Sequence, residues 1–162
     1  MDYISHGIWS YIFFHKIKIP IYAVLFGLLP DTVSWGVLLI YNLFTGQFSL
    51  YLPGPFRIPE WFFTLYGVSH SLIVFIFVVL IVYLVFKKVP IYIFAWSIAI
   101  VIDILTHAHE YLATPFLWPV SEWKFTGINW EATWFNILNF SLIVLFLILI
   151  YVKKKRRKNV DF

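Results

Sequence analysis

The sequence contains no cysteine and few charged residues, and each absence excludes a class of protein. Without cysteine the chain forms neither disulfides nor thiolate metal sites, so any metal ion must be bound by histidine, carboxylate or hydroxyl groups. Charged residues make up only 12% of the 162 residues, whereas 62% are hydrophobic and the mean hydropathy is +0.86. A soluble domain of this composition could not cover its surface with polar side chains. The sequence therefore predicts an integral membrane protein.

The small net charge of +4 comes mainly from a basic run at residues 153–158. A basic run beside an apolar segment is first of all a marker of membrane topology, so it does not indicate binding to nucleic acid. We expect one transmembrane helical domain over residues 1–152, followed by a basic cytoplasmic tail over residues 153–162. The bilayer is the expected partner, and no separate soluble domain fits into this length.

Apolar segments separated by turn-forming residues predict an all-α, polytopic bundle of about four to five membrane helices. The N-terminal helices are expected to be short or broken, because residues 3–15 cannot cross a bilayer upright and Pro30 interrupts the second segment. That second segment is either one kinked span or two half-helices that meet at Asp31. The predicted segments are residues 3–15, 19–44, 61–86, 90–112 and 130–152.

Basic residues predict the orientation of these helices. Lys16 and Lys18, Lys87 and Lys88, and the run at 153–158 fall on one side if the long spans alternate. Lysine and arginine are enriched in cytoplasmic loops, so we expect a multi-pass protein of the cell membrane with a cytoplasmic C-terminus. The Pro- and Trp-containing loop at residues 113–129 is then external.

Asp103 is the strongest functional candidate, because it interrupts an apolar run predicted to be a membrane helix. An aspartate near the centre of a lipid-embedded helix costs roughly 3 kcal/mol on insertion scales, so it should face the bundle and bind a proton, a polar partner or a metal ion. His107 lies one helical turn later on the same face, and Glu110 continues that face.

Other ionisable residues in apolar segments are His6, Asp31 and His70. Most of the candidates also have a plainer structural interpretation. Asp31 can cap a half-helix, and His70 can be a neutral core histidine bonded to a backbone carbonyl. His107 and Glu110 can simply be solvated at the helix end. Nitrogen and oxygen ligands from separate helices suit a divalent ion such as zinc or manganese. The candidate metal ligands are Asp31, His70, Asp103 and His107, and the candidate general bases or further ligands are His6 and Glu110.

Four features together resemble a small prokaryotic family of membrane-bound metal-dependent hydrolases. They are His6 near the start, Leu29-Pro30-Asp31, Ser69-His70-Ser71, and Asp103-Ile104-Leu105-Thr106 followed by Leu117-Trp118-Pro119. The resemblance covers most of the chain and implies that His6, Asp31, His70 and Asp103 form a metal or catalytic set.

The chain departs from this family pattern at several positions. One of them is the position one turn before the aspartate, where the family has a histidine. Ala99 occupies that position here. Because residues four before and four after Asp103 share a helical face, we predict that His107 takes over the missing ligand role.

The preferred hypothesis is therefore a metal-dependent hydrolase with a His/Asp site in the outer half of the bilayer, acting on a lipid-like or phosphoryl substrate. One alternative is a non-catalytic membrane protein with a structural metal site or hydrogen-bond network. Another is a carrier of protons or metal ions, although the apolar run at residues 72–86 argues against a path through the bundle.

Overall fold

The computed structural model describes residues 1–46, 58–108 and 112–158, and the regular structure within these ranges is entirely helical. This confirms the predicted all-α class. The α-helices are α1 (Tyr3–Phe14), α2 (Pro20–Asp31), α3 (Val37–Phe44), α4 (Glu60–Ser69), α5 (Leu72–Phe86), α6 (Phe94–Thr106) and α7 (Thr133–Lys158). A π-helical turn, Thr32–Gly36, joins α2 to α3, and a 3-10 turn, Ile91–Ile93, precedes α6.

Among the described residues, two helical segments are long and apolar enough to cross a membrane, and this supports the predicted membrane location. They are Pro20–Phe44, which contains α2, the π turn and α3, and Thr133–Arg156 within α7. Helices α4 and α5 give a third span if the pair is counted as one, although a bend of 55° separates them.

The segment that contains Pro30 stays helical, so the kinked-span alternative is correct and the two-half-helix alternative is wrong. The π turn that follows takes up the distortion caused by a residue without a backbone N–H. Hydroxyl groups satisfy nearby carbonyls, since Thr32 Oγ1 donates to Leu28 O at 2.8 Å and Ser34 Oγ donates to Pro30 O at 2.9 Å. Asp31 makes no capping hydrogen bond to the helix, so its interpretation as a cap is also wrong.

The predicted single span at residues 61–86 breaks at His70, where α4 ends and α5 begins after Ser71. Ser71 is the N-cap of α5, and its Oγ accepts hydrogen bonds from the backbone N–H groups of Ile73 and Val74. The N–H of Leu72 donates to Phe116 O at 2.9 Å instead of to its own helix. Residues 61–86 contain no proline, so the sequence pattern did not predict this break.

Helix α6 ends at Thr106, and the predicted continuation to about Leu112 is wrong. The loop after it folds back and donates to its last carbonyls: Gly127 N to His107 O, Ile128 N to Leu105 O and Trp130 N to Thr106 O, at 2.8 to 3.1 Å. A Cβ at Gly127 would lie 2.5 Å from the Leu105 carbonyl carbon, so this approach requires glycine. The loop therefore ends α6 by capping it from outside the helix.

Contacts between helices bring the basic segments to one end of the molecule. Tyr22 at the start of α2 packs on Tyr92 before α6, with ring centroids 5.2 Å apart. Lys154 Nζ donates to Tyr11 OH near the end of α1 at 3.2 Å. The segments that carry Lys16, Lys18 and Lys153–Arg156 are therefore neighbours.

Candidate functional site

Four buried polar side chains from separate helical elements meet at the opposite end of α2 and α6 from the lysines. They are His6 of α1, Asp31 at the end of α2, His70 at the break between α4 and α5, and Asp103 of α6. His6, His70 and Asp103 are at most 1% exposed, and Asp31 is 9% exposed. We call these four residues the His/Asp ring, since each histidine lies between the two carboxylates.

The distances around the ring are short enough for every neighbour to interact. His6 Nε2 is 2.9 Å from Asp103 Oδ1 and 3.9 Å from Asp31 Oδ2. His70 Nε2 is 3.4 Å from Asp31 Oδ1 and 3.6 Å from Asp103 Oδ2. The predicted proximity of His70 and Asp103 is therefore found, and two further residues from the candidate set join them.

Close packing of α1 against α2 places His6 in the ring. A Cβ at Gly27 would overlap Ser10 Oγ and would lie 3.4 Å from the carbonyl oxygen of His6, so the two helices meet where α2 has no side chain. Helix α7 supports α1 from the other side through Asn139, which accepts from Trp9 Nε1 and donates to Ser5 Oγ, both at 2.9 Å. These contacts position the turn of α1 that carries His6.

The helix break positions His70 and fixes which of its ring nitrogens faces the carboxylates. Its Nδ1 lies 3.2 Å from Tyr66 O and 2.9 Å from Ser69 Oγ. A carbonyl oxygen can only accept a hydrogen bond, so we assign the imidazole proton to Nδ1. A neutral His70 then directs the lone pair of Nε2 toward the carboxylates of Asp31 and Asp103. Within the described residues Nε2 has no hydrogen-bond partner.

The nitrogen and oxygen atoms of the ring are of the type that binds a cation, but only some of the distances between them match those around a metal ion. Two ligands bound tetrahedrally at about 2.1 Å from one ion are about 3.4 Å apart. The separations of 3.4, 3.6 and 3.9 Å are near this value, whereas the 2.9 Å separation between His6 and Asp103 is that of a hydrogen bond. As the described side chains stand, no group of three or more His, Asp or Glu is arranged to hold a metal ion. His6 could join such an ion as a ligand only if its hydrogen bond to Asp103 Oδ1 opened, whereas Asp103 Oδ2 has no hydrogen-bond partner among the described residues.

His107 lies beside the ring and contacts Asp103 from another side. It is the residue after α6, in extended conformation, and its Nδ1 is 3.1 Å from the backbone oxygen of Asp103 and 3.4 Å from Oδ1. Its Nε2 is 3.5 Å from the Met1 amino group, which in turn lies 2.6 Å from Asp103 Oδ1. The predicted neighbourhood of His107 and Asp103 is thus present, but it arises at a helix end and not along a continuing helix.

Glu110, the other candidate general base, lies outside the described residues.

Two residues that hold the site were not among the sequence candidates. Tyr66 accepts from His70 through its carbonyl, and its ring stacks on the imidazole with centroids 4.0 Å apart. Trp96 of α6 donates from Nε1 to the carbonyl of Ser69 at 2.8 Å, next to the helix break. The four-residue spacing from Tyr66 to His70 could have indicated from the sequence that Tyr66 contacts His70. The contact of Trp96 with Ser69 depends on the fold alone.

Comparison with known proteins adds no assignment to this geometry: no family model, no curated protein and no solved structure matches the chain.

Proposed function

We propose that the His/Asp ring binds a divalent metal ion and that the protein is a membrane-bound metal-dependent hydrolase. One observation carries the proposal: His70 Nε2 lies 3.4 and 3.6 Å from two buried carboxylates, and among the described residues it has no hydrogen-bond partner. With its proton on Nδ1, this nitrogen would be repelled by the carboxylates unless a proton or a cation lay between them. A histidine whose other nitrogen donates to a backbone carbonyl is the usual arrangement of a metal ligand.

The donor set favours zinc or manganese. Imidazole suits zinc, carboxylates suit manganese, and the described site contains both kinds of ligand. Asp31, His70 and Asp103 would hold the ion, and His6 would become a further ligand or a general base once its hydrogen bond to Asp103 opened. His107 is the candidate fourth protein ligand on the other side of Asp103, and it would bind through Nε2, because its Nδ1 faces the Asp103 carbonyl at 3.1 Å.

The membrane arrangement we propose is a polytopic bundle of four to five helices with a cytoplasmic C-terminus. Ten of the 12 basic residues fall at positions 16, 18, 87, 88 and 153–158. Contacts of Tyr11 with Lys154 and of Tyr22 with Tyr92 support one common end for these segments. Asp31 lies eleven residues beyond Pro20, which is about 17 Å along the helix. The ring would then lie in the outer half of a core about 30 Å thick.

Hydrolysis would need an activated water and a proton acceptor in this site. A bound divalent ion would supply a Lewis acid that lowers the pKa of a water molecule. His6 can accept a proton, since its Nδ1 is buried and has no hydrogen-bond partner among the described residues. The position within the bilayer favours a lipid-like or phosphoryl substrate.

A second candidate function is a non-catalytic hydrogen-bond network that joins the helices. The 2.9 Å bond between His6 and Asp103 and the lack of a three-ligand arrangement in the described residues favour it. In this case the ring would share protons among its four members and would bind no metal.

Metal analysis of protein purified in detergent separates the two candidates. We expect about one zinc or manganese ion per chain, lost in His70→Ala and in Asp103→Asn. The matched control is His15→Ala, because His15 lies at the far end of α1 and bonds to Ile12 O. Wild-type protein that folds but carries only traces of metal, even after incubation with zinc or manganese, would exclude the hydrolase proposal and support the hydrogen-bond network.

Activity provides an independent readout. Vesicles containing fluorogenic ester and phosphoester lipids should be hydrolysed by the metal-loaded protein, and removal of the ion by a chelator should abolish turnover reversibly. Metal bound at one ion per chain without hydrolysis of either lipid class would support a structural metal site instead.

A further inference from the structure

A long apolar groove runs along the outside of α1, away from the His/Asp ring. Its volume is about 430 Å³, and α1, α2 and α7 form its walls. The side chains that line it include Tyr3, Ile8, Tyr11, Val24, Leu28 and Leu147. A groove of this size lies within the range of pockets that hold a small ligand.

The shape of the groove follows from the sequence of α1. Tyr3, Gly7 and Tyr11 are spaced by four residues and therefore lie on one helical face. Gly7 forms the floor, and a Cβ there would lie 3.2 Å from Leu28 Cδ2. The distance along α1 from Tyr3 to Tyr11 is about 12 Å, close to the depth of one leaflet of the hydrocarbon core.

The two ends of the groove differ in charge. At the Tyr11 end, Lys154 Nζ donates to the tyrosine hydroxyl at 3.2 Å and lies 5.8 Å from the centre of its ring. Lys153, Lys155 and Arg156 are exposed in the same turn and a half of α7. At the other end, the Tyr3 hydroxyl is bonded to Thr32 Oγ1 at 3.0 Å. Cations therefore lie at one mouth of an otherwise apolar channel.

We propose that this groove is a binding site for one acyl chain of an anionic phospholipid, whose phosphate is bound by Lys154. An acyl chain matches the apolar walls and the length of the groove, and the basic mouth selects an anionic headgroup over a zwitterionic one. Tyr11 orients Lys154 at this mouth. The lipid belongs to the leaflet at the basic end, and the inference is independent of any metal in the His/Asp ring.

Lipid retention tests the site. The full-length protein is equilibrated with vesicles of equal parts phosphatidylglycerol and phosphatidylcholine, extracted in mild detergent, and its bound lipids are counted by native mass spectrometry. We expect about one retained phosphatidylglycerol per chain. Lys154→Gln should lower the preference for phosphatidylglycerol about fivefold, the effect of about one basic residue near a membrane surface. Lys153→Gln, which removes a neighbouring exposed cation, should lower it less.

Filling the groove should remove the lipid regardless of its headgroup. Leu147→Trp places a large side chain in the groove, and Leu145→Trp, at a position 49% exposed on the opposite side of α7, is the matched control. Val24→Phe fills the groove from α2 and decides the question if Leu147→Trp fails to fold. Equal retention of both lipids by the wild type, or full retention by the folded groove variants, would overturn the proposal.

Discussion

Two apolar segments of this protein differ in whether their helix stays continuous. Residues 20–44 contain Pro30 and remain one continuous helical span, whereas residues 60–86 contain no proline and bend by 55° at His70. The first segment absorbs its defect in a π turn, with hydroxyls of Thr32 and Ser34 bonded to preceding carbonyls. The second is ended by groups outside its own helix, since Leu72 N donates to Phe116 O and Trp96 Nε1 donates to Ser69 O.

Both interruptions carry a member of the His/Asp ring. Asp31 immediately precedes the π turn, and His70 occupies the break itself. A regular helix directs its side chains at fixed angles, so an irregular turn gives a polar residue an orientation that the regular helix lacks. The comparison shows that the regularity of a helix in this chain depends on which groups form hydrogen bonds with its backbone N–H and C=O groups, and not on the presence of proline alone.

Ser71→Ala should have the largest effect on stability, and it tests what holds the helix break at His70. Its hydroxyl accepts from Ile73 N and Val74 N and donates to Trp118 O, so the substitution removes the cap of α5 and leaves a buried carbonyl unpaired. We expect the free energy of unfolding to fall by about 3 kcal/mol. Unfolding in mixed detergent measures it, with Ser97→Ala as the control because Ser97 bonds within its own turn to Phe94 O. Equal stability of the two variants would contradict a break held by this cap.

Gly27→Ala should have the next largest effect and tests what supports the continuous span. The added methyl group would overlap Ser10 Oγ and lie 2.8 Å from Ser10 Cβ, forcing α1 and its His6 away from α2. Overpacking of this kind lowers the free energy of unfolding by about 2 kcal/mol. Gly36→Ala, in the same span, meets Thr32 Cγ2 only at 3.7 Å and should be neutral or slightly stabilising. A similar loss in both variants would contradict the packing explanation, because alanine favours the helix at both positions and Gly36 has room for the methyl group.

Trp96→Phe should produce a smaller loss by removing one donor at the break. The phenyl ring retains packing against Phe75, but the buried Ser69 carbonyl loses the bond from Nε1. We expect about 1.5 kcal/mol of destabilisation. Thermal unfolding of Trp123→Phe, at a loop position 60% exposed, provides the baseline and should shift stability by less than about 0.5 kcal/mol. Indistinguishable melting of the two variants would show that this bond does not stabilise the break.

Pro30→Ala should change stability least. The new backbone N–H can donate to the carbonyl of Phe26, which contributes about 1 kcal/mol, while the unfolded chain gains conformational freedom of similar magnitude. The free energy of unfolding should therefore change by less than about 1 kcal/mol. Stabilisation well above that value would show that proline strains the span and that the π turn does not fully absorb the distortion.

Individual residues show how far the sequence predicted the site. His6, Asp31, His70 and Asp103 were all selected because ionisable groups in apolar segments require partners, and all four meet in one ring. The α-helix after Pro90 was extended too far, because its end is set by Gly127 and Ile128, about twenty residues later in the chain. Local periodicity carries no information about such a distant cap.

The sequence alone determined the membrane character, the all-helical class and the identity of the polar residues, because composition and hydropathy follow from residue type. The tertiary structure decided where helices break. Those outcomes depend on hydrogen bonds from residues far away in the chain, such as Trp96 to Ser69 and Leu72 to Phe116. A backbone group in an apolar bundle must find its partner within the protein, and only the packed fold determines which partner is near.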